Sequence, residues 1–402
     1  MVGKVIDFEK IVKGFTEMQD QNNQYLEAVS RLQLNMIAIN NIELPSEAAF
    51  RHAPDDYNAI QQCLADVKKE CTNFSVKIYT QLEAYPDQCL DALKTIDSCI
   101  EMALDDVTQL QEEGISDDRK KMLMDLLSKD LQNIIDRAGI QKDLLNGLLN
   151  ALDKYLNENI INMYKNLDKI VSKLSSDTNE YKAAVAQLKI AKKDLEDEIT
   201  NLKKTAIGAF GGMCVAMVIG VLSFAAALTT GGAALPVVAG AAIIIFPLLG
   251  GSATTIYASE KMQADQKLLE QMIENIKDDE ADILVLENAR DECNKYKLNV
   301  LGIMNCLKQI NKAWSTVHDG FTYIYNQIDK LKIGDEKWKE ISLCLINAES
   351  KSKEMQIMLT DMKISDTKVS TGNFVVTMDS DEVQRTDKSA ERISFMEYML
   401  AI

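Results

Sequence analysis

Residues 205–259 read TAIGAFGGMCVAMVIGVLSFAAALTTGGAALPVVAGAAIIIFPLLGGSATTIYAS, with Lys203-Lys204 before and Glu260-Lys261 after. No residue in this stretch carries a charge. It is too long for one spanning helix, because ~20 apolar residues already cross a bilayer core. It divides into Ala206–Leu228 and Ala233–Tyr257 around the turn signal Thr229-Thr230-Gly231-Gly232, with Pro236 close behind. In the first half Gly208, Gly212, Ala216 and Gly220 recur at four-residue spacing. On a helix they would form a smooth face that another backbone can approach. The second half is less regular. Pro236 suits a helix start, Pro247 and Gly250-Gly251 would kink or end one, and Ile243-Ile244-Ile245-Phe246 fits a buried strand equally well. The bland alternative is an unusually apolar core hairpin, but core helices usually keep a polar face.

The residues expected to enter a membrane are Ala206, Ile207, Gly208, Phe210, Gly212, Val215, Ala216, Val218, Gly220, Leu222, Phe224 and Leu228 in the first half. Gly231 and Gly232 form the turn. Leu235, Pro236, Val238, Ile243, Ile244, Ile245, Phe246 and Leu248 follow in the second half.

The chain outside this stretch is polar. Its 402 residues are 47% hydrophobic overall, enough for a real core, and its net charge is −17. Such an acidic chain is a poor nucleic-acid binder, which wants a basic patch. Its sign also argues against holding anionic membranes by charge alone, so contact with a target-cell lipid membrane, if any, must come from apolar insertion. Met1–Glu9 turns acidic before any apolar run develops, so no cleavable signal peptide is expected. The chain is therefore expected to be made soluble, or to leave the cell by another route. The 8 cysteines show no CxxC spacing, and buried, reduced thiols are favoured over a disulfide framework.

Proline usage sets out the helices. The 5 prolines are Pro45, Pro54, Pro86, Pro236 and Pro247, leaving two long proline-free intervals. With abundant Leu, Lys, Glu, Asp, Asn and Ala, these intervals predict very long helices. Residues 4–38 form an amphipathic helix with Ile11, Phe15, Met18, Tyr25, Val29 and Leu32 on one face. Asn40–Asp56 is a loop. A second helix spans Tyr57–Glu83, Tyr85-Pro86-Asp87 breaks it, and a third runs to about Glu112. Ser116 or Asp117 caps the next. From Asp118 to Lys204 a seam of threes and fours runs through Leu127, Leu131, Ile134, Ala138, Leu145, Leu148, Leu152, Leu156, Ile160, Met163, Leu167, Ile170 and Leu174, resuming at Ala184. Ser175-Ser176-Asp177 weakens it. After the hairpin the seam returns at Leu269, Met272, Ile276, Ile283 and Leu286. It continues through Tyr296, Val300, Met304 and Ile310 to about Leu331. A last long helix covers Trp338–Met362. The tail holds a β-like Asn373–Met378 and an amphipathic end, Arg392–Ile402, expected to dock.

The fold expected is all-α: an elongated antiparallel bundle of long helices with an apolar head hairpin, β-tongue or helical, between the two longest. Residues 1–204 and 258–362 would form the tail bundle, 205–257 the head and 363–402 a C-terminal segment. No phosphate-cradling loop, nucleophile elbow or HExxH is present, and 2 histidines cannot build a His-rich metal site. Acid pairs such as Asp278-Asp279-Glu280 read as solvated coiled-coil faces. No catalytic residue, metal or cofactor is expected. Trp314, Phe321, Tyr323 and Tyr325 read as an aromatic cluster in the bundle.

The order long helix, apolar hairpin of about fifty residues, matching long helix resembles the α-helical pore-forming toxins of the cytolysin A type. These include the haemolysin BL and non-haemolytic enterotoxin components, xenorhabdolysin-type A subunits and motility-associated cytotoxins. The resemblance covers roughly 117–331 and is most specific at Gly208–Gly251, including Thr230-Gly231-Gly232-Ala233-Ala234-Leu235-Pro236. It implies a pore-forming component of a cytotoxin whose head hides the apolar segment. On a membrane the head would open and the protomers assemble into a homo- or hetero-oligomer with related subunits. The tail after Met362 is longer than a minimal bundle needs. The alternative is a resident membrane-anchored coiled-coil scaffold with an apolipoprotein-L-like hairpin.

Overall fold

The computed structural model describes residues 9–40, 57–112, 114–174, 281–328, 336–361 and 391–401, the strand residues given below, and Ile42, Leu44, Ala186, Lys330 and Leu331. The helices are α1 (Glu9–Asn40), α2 (Tyr57–Phe74), α3 (Thr80–Leu110), α4 (Asp117–Tyr155), α5 (Ile161–Leu174), α6 (Ala281–Ile328), α7 (Lys337–Asp361) and α8 (Phe395–Ala401). The strands are β1 (Val215–Leu222), β2 (Ala239–Ile245), β3 (Thr254–Ile256), β4 (Lys368–Thr371), β5 (Val376–Asp379), β6 (Glu382–Arg385) and β7 (Glu391–Ser394). The chain divides into two units. One holds Met1–Leu26, Gln81–Leu152 and Gly302–Lys363; the other holds Glu27–Thr80, Asp153–Leu301 and Ile364–Ile402.

The first unit is an antiparallel bundle. On α1 and α6, Gly14 lies against Val317 while Ile11 lies against Gly320, so one helix ascends as the other descends. A Cβ built on Gly14 would stand 2.8 Å from Val317 Cγ2 and 3.2 Å from the Ala313 carbonyl oxygen, so no larger residue fits without a shift. α3 and α7 run likewise: Gln356 Nε2 donates to Asp97 Oδ2 at 2.9 Å and Lys353 Nζ reaches Glu101 Oε1 at 3.1 Å. The same holds for α3 and α4. Arg119 donates to Gln109 at 2.6 Å near one end, and Gln141 meets the Gln88 carbonyl near the other.

The expected stripes form the cores. Ile11, Phe15, Met18, Tyr25, Val29 and Leu32 are all buried on α1, joined by Asn22, whose Nδ2 donates to the Met18 carbonyl at 2.8 Å. Leu127 through Leu167 of the expected seam are buried. The seam then shifts: Val171 is buried where Ile170 was expected, and Ile170 is only half-buried. A π-helical turn, Leu156–Ile160, joins α4 to α5 in this region. Ser116 caps α4, its Oγ accepting the Arg119 N–H at 3.3 Å. The expected seam from Ser175 to Ile276 lies outside the described helices, and the side chain of Ile283 outside the described residues.

Two expectations are corrected. Tyr85-Pro86-Asp87 does not break a helix: α3 runs through Pro86, and a π-helical turn, Ser75–Tyr79, joins it to α2. Pro86 has no N–H for the carbonyl four residues back, that of Leu82. The Tyr25 hydroxyl donates to that carbonyl at 2.6 Å and supplies the missing bond. The second correction is the aromatic cluster. Trp314 and Phe321 are fully buried, but Tyr323 and Tyr325 are 38% and 37% exposed and so are not part of the buried core.

In the second unit Arg290 pairs with Asp168 and Lys297 lies over the Tyr164 ring, so α5 and α6 are antiparallel as well. The Phe74 ring meets Tyr155 and Tyr296 edge-on, with centroids 5.2 and 5.5 Å away, tying together α2, α4 and α6. Cys63 is half-buried, and Cys71, Cys89, Cys99, Cys293, Cys306 and Cys344 are buried, with their thiols reduced. Cys214 lies outside the described residues. Burial pushes the Cys89 and Cys344 thiols up to about 12.

Two testable consequences concern the first unit. Tyr25→Phe orphans the Leu82 carbonyl and should cost ~1–3 kcal/mol in denaturant titrations. In a Pro86→Ala background the alanine N–H takes that acceptor, so the cost of Tyr25→Phe should shrink. Equal costs in both backgrounds would disprove the substitution of hydroxyl for amide. The second consequence concerns Asp106 on α3 and Asp130 on α4, both buried. Burial, with Asp130 and Asp105 adding like charge against Arg119, raises the Asp106 carboxyl to about 6. The folded chain therefore holds its proton more tightly than the unfolded one. The contribution of Asp106 to stability is fully present below about pH 4 and is lost as pH rises through about 6. Asp106→Asn should raise Tm near pH 8 and leave it little changed near pH 4. An equal Tm shift at both pH values would rule the linkage out.

Candidate membrane-insertion hairpin

The uncharged stretch is a β-hairpin in its described parts. β1 and β2 are antiparallel, with Ala216 opposite Ile245, Val218 opposite Ile243, Gly220 opposite Ala241 and Leu222 opposite Ala239. Successive strand residues alternate between faces. One face thus carries Ala216, Val218, Gly220 and Leu222 with Ala239, Ala241, Ile243 and Ile245; the other carries Met217, Ile219 and Val221 with Gly240, Ala242 and Ile244. Neither face has a polar residue. An antiparallel sheet normally keeps one face for water; this pair of strands has none to offer.

The four-residue spacing takes on a different meaning here. On a strand Ala216 and Gly220 still share a face, because four is a multiple of two. The spacing therefore could not choose between helix and strand. The structure places Val215, Ala216, Val218, Gly220 and Leu222 on β1 and Ile243, Ile244 and Ile245 on β2. It brings Ala216 and Val218 opposite Ile245 and Ile243, and Met217 opposite Ile244. Ala206, Ile207, Gly208, Phe210, Gly212, Phe224, Leu228, Gly231, Gly232, Leu235, Pro236, Val238, Phe246 and Leu248 lie outside the described residues.

The hairpin belongs to a five-stranded sheet in the order β3-β1-β2-β4-β7. β3 runs parallel to β1, with Val215 opposite Thr254 and Met217 opposite Ile256. β4 meets β2 through Ile245 and Lys368, and pairs along its length with β7. Sequence reasoning missed β4 and β7 as members of this sheet. Their signal was faint: Lys368-Val369-Ser370-Thr371 and Glu391-Arg392-Ile393-Ser394 each hold a single apolar residue, too few to show a period. The β-like Asn373–Met378 appears as β5, shifted to Val376–Asp379, paired with β6 in a separate two-stranded ribbon.

Among the described residues no helix is long and apolar enough to cross a membrane. Among them, too, no group of three or more His, Cys, Asp or Glu could hold a metal ion. A groove of 770 Å³ between α2 and α5 is lined by Ile60, Cys63, Val67, Glu70, Asn159, Met163 and neighbours. Its mix of acids, lysines and apolar residues lies on different elements from the hairpin. His318 Nδ1 lies 2.9 Å from Asp319 Oδ1 on the exposed side of α6, an ordinary surface pair.

No family model matches the sequence, and no curated protein matches it. Solved structures do match. Soluble SmhB of the tripartite α-pore-forming toxin Smh from Serratia marcescens is similar at 13% identity, covering 87% of this chain and 92% of that one, with a TM-score of 0.54. The HblL1 toxin component of Bacillus cereus is 12% identical, covering 85% and 94%, also at 0.54. The cytotoxin MakB from Vibrio cholerae is 10% identical, covering 86% and 92%, again at 0.54. The chain thus has the helical-bundle fold of these toxin components, in agreement with the cytolysin A-type resemblance.

The strand register is directly testable. Val218→Cys with Ile243→Cys should form a disulfide on mild oxidation, since antiparallel partners sit at bridging distance. Val218→Cys with Ala242→Cys, which fall on opposite faces, should not. Equal cross-linking of both pairs would show that the register is not held in solution.

Proposed function

We propose that this chain is a component of a pore-forming cytotoxin, kept in a water-compatible form with its apolar hairpin folded as strands, and converted to a membrane-inserted oligomer on a target lipid bilayer. The observation that carries this reading is the hairpin with two apolar faces and no charge from Thr205 to Ser259. Its agreement in fold with a tripartite toxin component supports the reading.

The physics is consistent. In water both faces must be covered, and burial of each Val, Leu or Ile is worth about 1.5–3 kcal/mol. In lipid every backbone polar group must be paired, so the inserted segment is either helical or part of a closed barrel. One hairpin cannot enclose a channel, so several copies, or copies with related subunits, must assemble. Residues 1–204 and 258–362 then serve as the supporting bundle and 205–257 as the inserting head. No step requires a catalytic group.

The test is preparation of the chain without detergent, followed by flotation with lipid vesicles and release of an entrapped dye, alone and with related subunits. A monomer that stays in solution until vesicles are added is expected. Recovery only in membranes would favour a resident scaffold instead. Ala216→Glu or Ile244→Lys places a charge in the inserting segment at ~2.5–3.5 kcal/mol, which should cut dye release about a hundredfold while the chain stays soluble. Undiminished release from both variants would remove β1 and β2 from the inserting segment.

A further inference from the structure

The sheet that holds the apolar hairpin is finished by a part of the chain more than a hundred residues away. β4 lies on the outer edge of β2, and β7 lies on β4. These two strands have a different chemistry from the hairpin: β4 brings Lys368, and β7 brings Glu391 and Arg392. Charges at that density are too costly to follow β1 and β2 into a hydrocarbon core. If the hairpin inserts, the sheet must divide, and the division must fall between β2 and β4.

That line separates two ladders. β1 and β2 are paired from Ala216–Ile245 through Leu222–Ala239. β4 and β7 are paired from Lys368–Ser394 through Thr371–Glu391. Between β2 and β4 the described register sets Ile245 opposite Lys368, so along this line the apolar hairpin meets the C-terminal strands.

What keeps β4 there is anchored in helices. α8 follows β7 directly and is closed by a capping box: Ser394 Oγ accepts the Glu397 N–H at 3.1 Å, and the Glu397 carboxylate accepts the Ser394 N–H at 2.6 Å. Phe395 is buried with its ring 4.8 Å from that of Tyr79, in the π-helical turn after α2. Met399 is buried, and its Sδ lies 3.3 Å from Asn40 Nδ2 at the end of α1. Tyr79 in turn accepts from Gln33 of α1. The C-terminal segment is thus fixed to the helices at one end and touches the hairpin edge at the other.

We infer that β4, β7 and α8 form a clamp that holds the apolar hairpin in its strand form, and that parting of β2 from β4 is the step that frees it. The clamp also covers an edge that would otherwise template strand addition by a second hairpin in solution. The inference rests on the pore-forming reading above and adds its means of regulation.

The test uses the full chain in two arms. In the first, without lipid, hydrogen exchange is compared between the parent and Phe395→Ala, which loosens the anchor. Amides of Ala239–Ile245 should exchange at least about tenfold faster while those of α4 are unchanged. Unaltered exchange in β2 would overturn the clamp. In the second, Ile245→Cys with Lys368→Cys is oxidised to tie the seam, with each single variant as control. Flotation with phosphatidylcholine–cholesterol vesicles should fall at least about tenfold and recover on reduction, as expected when a required local opening is blocked. Equal flotation of the oxidised and reduced forms would overturn it. A parent chain that never floats with vesicles would instead sink the pore-forming reading, while the exchange arm would still decide whether the clamp exists.

Discussion

The structure depends on one constraint: a long run of backbone with apolar residues on every side still has amides and carbonyls that need partners. In water such a segment can meet that need by pairing within a sheet, and the described parts of residues 205–259 do so as β1, β2 and β3. Pairing disposes of the polar backbone but not of the two apolar faces or of the free edge. The edge of β2 is occupied by β4, a strand from the far end of the chain. Local sequence alone does not complete this sheet.

The helices answer a different problem, that of staying regular over great length. α6 has 48 residues and α4 has 39. Irregularities along them are absorbed without a break. The π-helical turns at Ser75–Tyr79 and Leu156–Ile160 take up an extra residue within a continuing helix. Pro86 removes a donor, and the Tyr25 hydroxyl replaces it from a neighbouring helix. Packing that depends on the spacing of apolar residues, and not on their identity, can survive near-complete sequence turnover. A fold shared at 10–13% identity is what such packing allows.

The same distinction explains what was legible in the sequence. The stripe from Ile11 to Leu32 and the seam from Leu127 to Leu167 were readable one residue at a time, because periodicity marks a face that is half buried. The path through Pro86 was not, since its compensating hydroxyl is far away in sequence. The hairpin was legible as an apolar segment but not as strands. Where no face is polar, a period of two and a period of 3.6 leave the same uniform record. The separation of Tyr323 from Phe321 was open to the same counting, since residues two apart on a helix point to opposite sides. Tyr325, four residues on from Phe321, shares its phase, so its exposure was not legible that way. β4 and β7 escaped because four-residue strands draw their identity from a partner elsewhere in the chain.

The tight crossing at Gly14 and Gly320 has a mechanical consequence. There α1 and α6 touch nearly backbone to backbone, with Val317 and Ile11 filling the notches that the two glycines leave. Interlocked notches resist sliding far more than they resist peeling apart, because any axial slip drives a side chain into main-chain atoms. This crossing is therefore a fulcrum: whatever bending or splaying the two helices undergo elsewhere, they pivot about this point and do not piston past it.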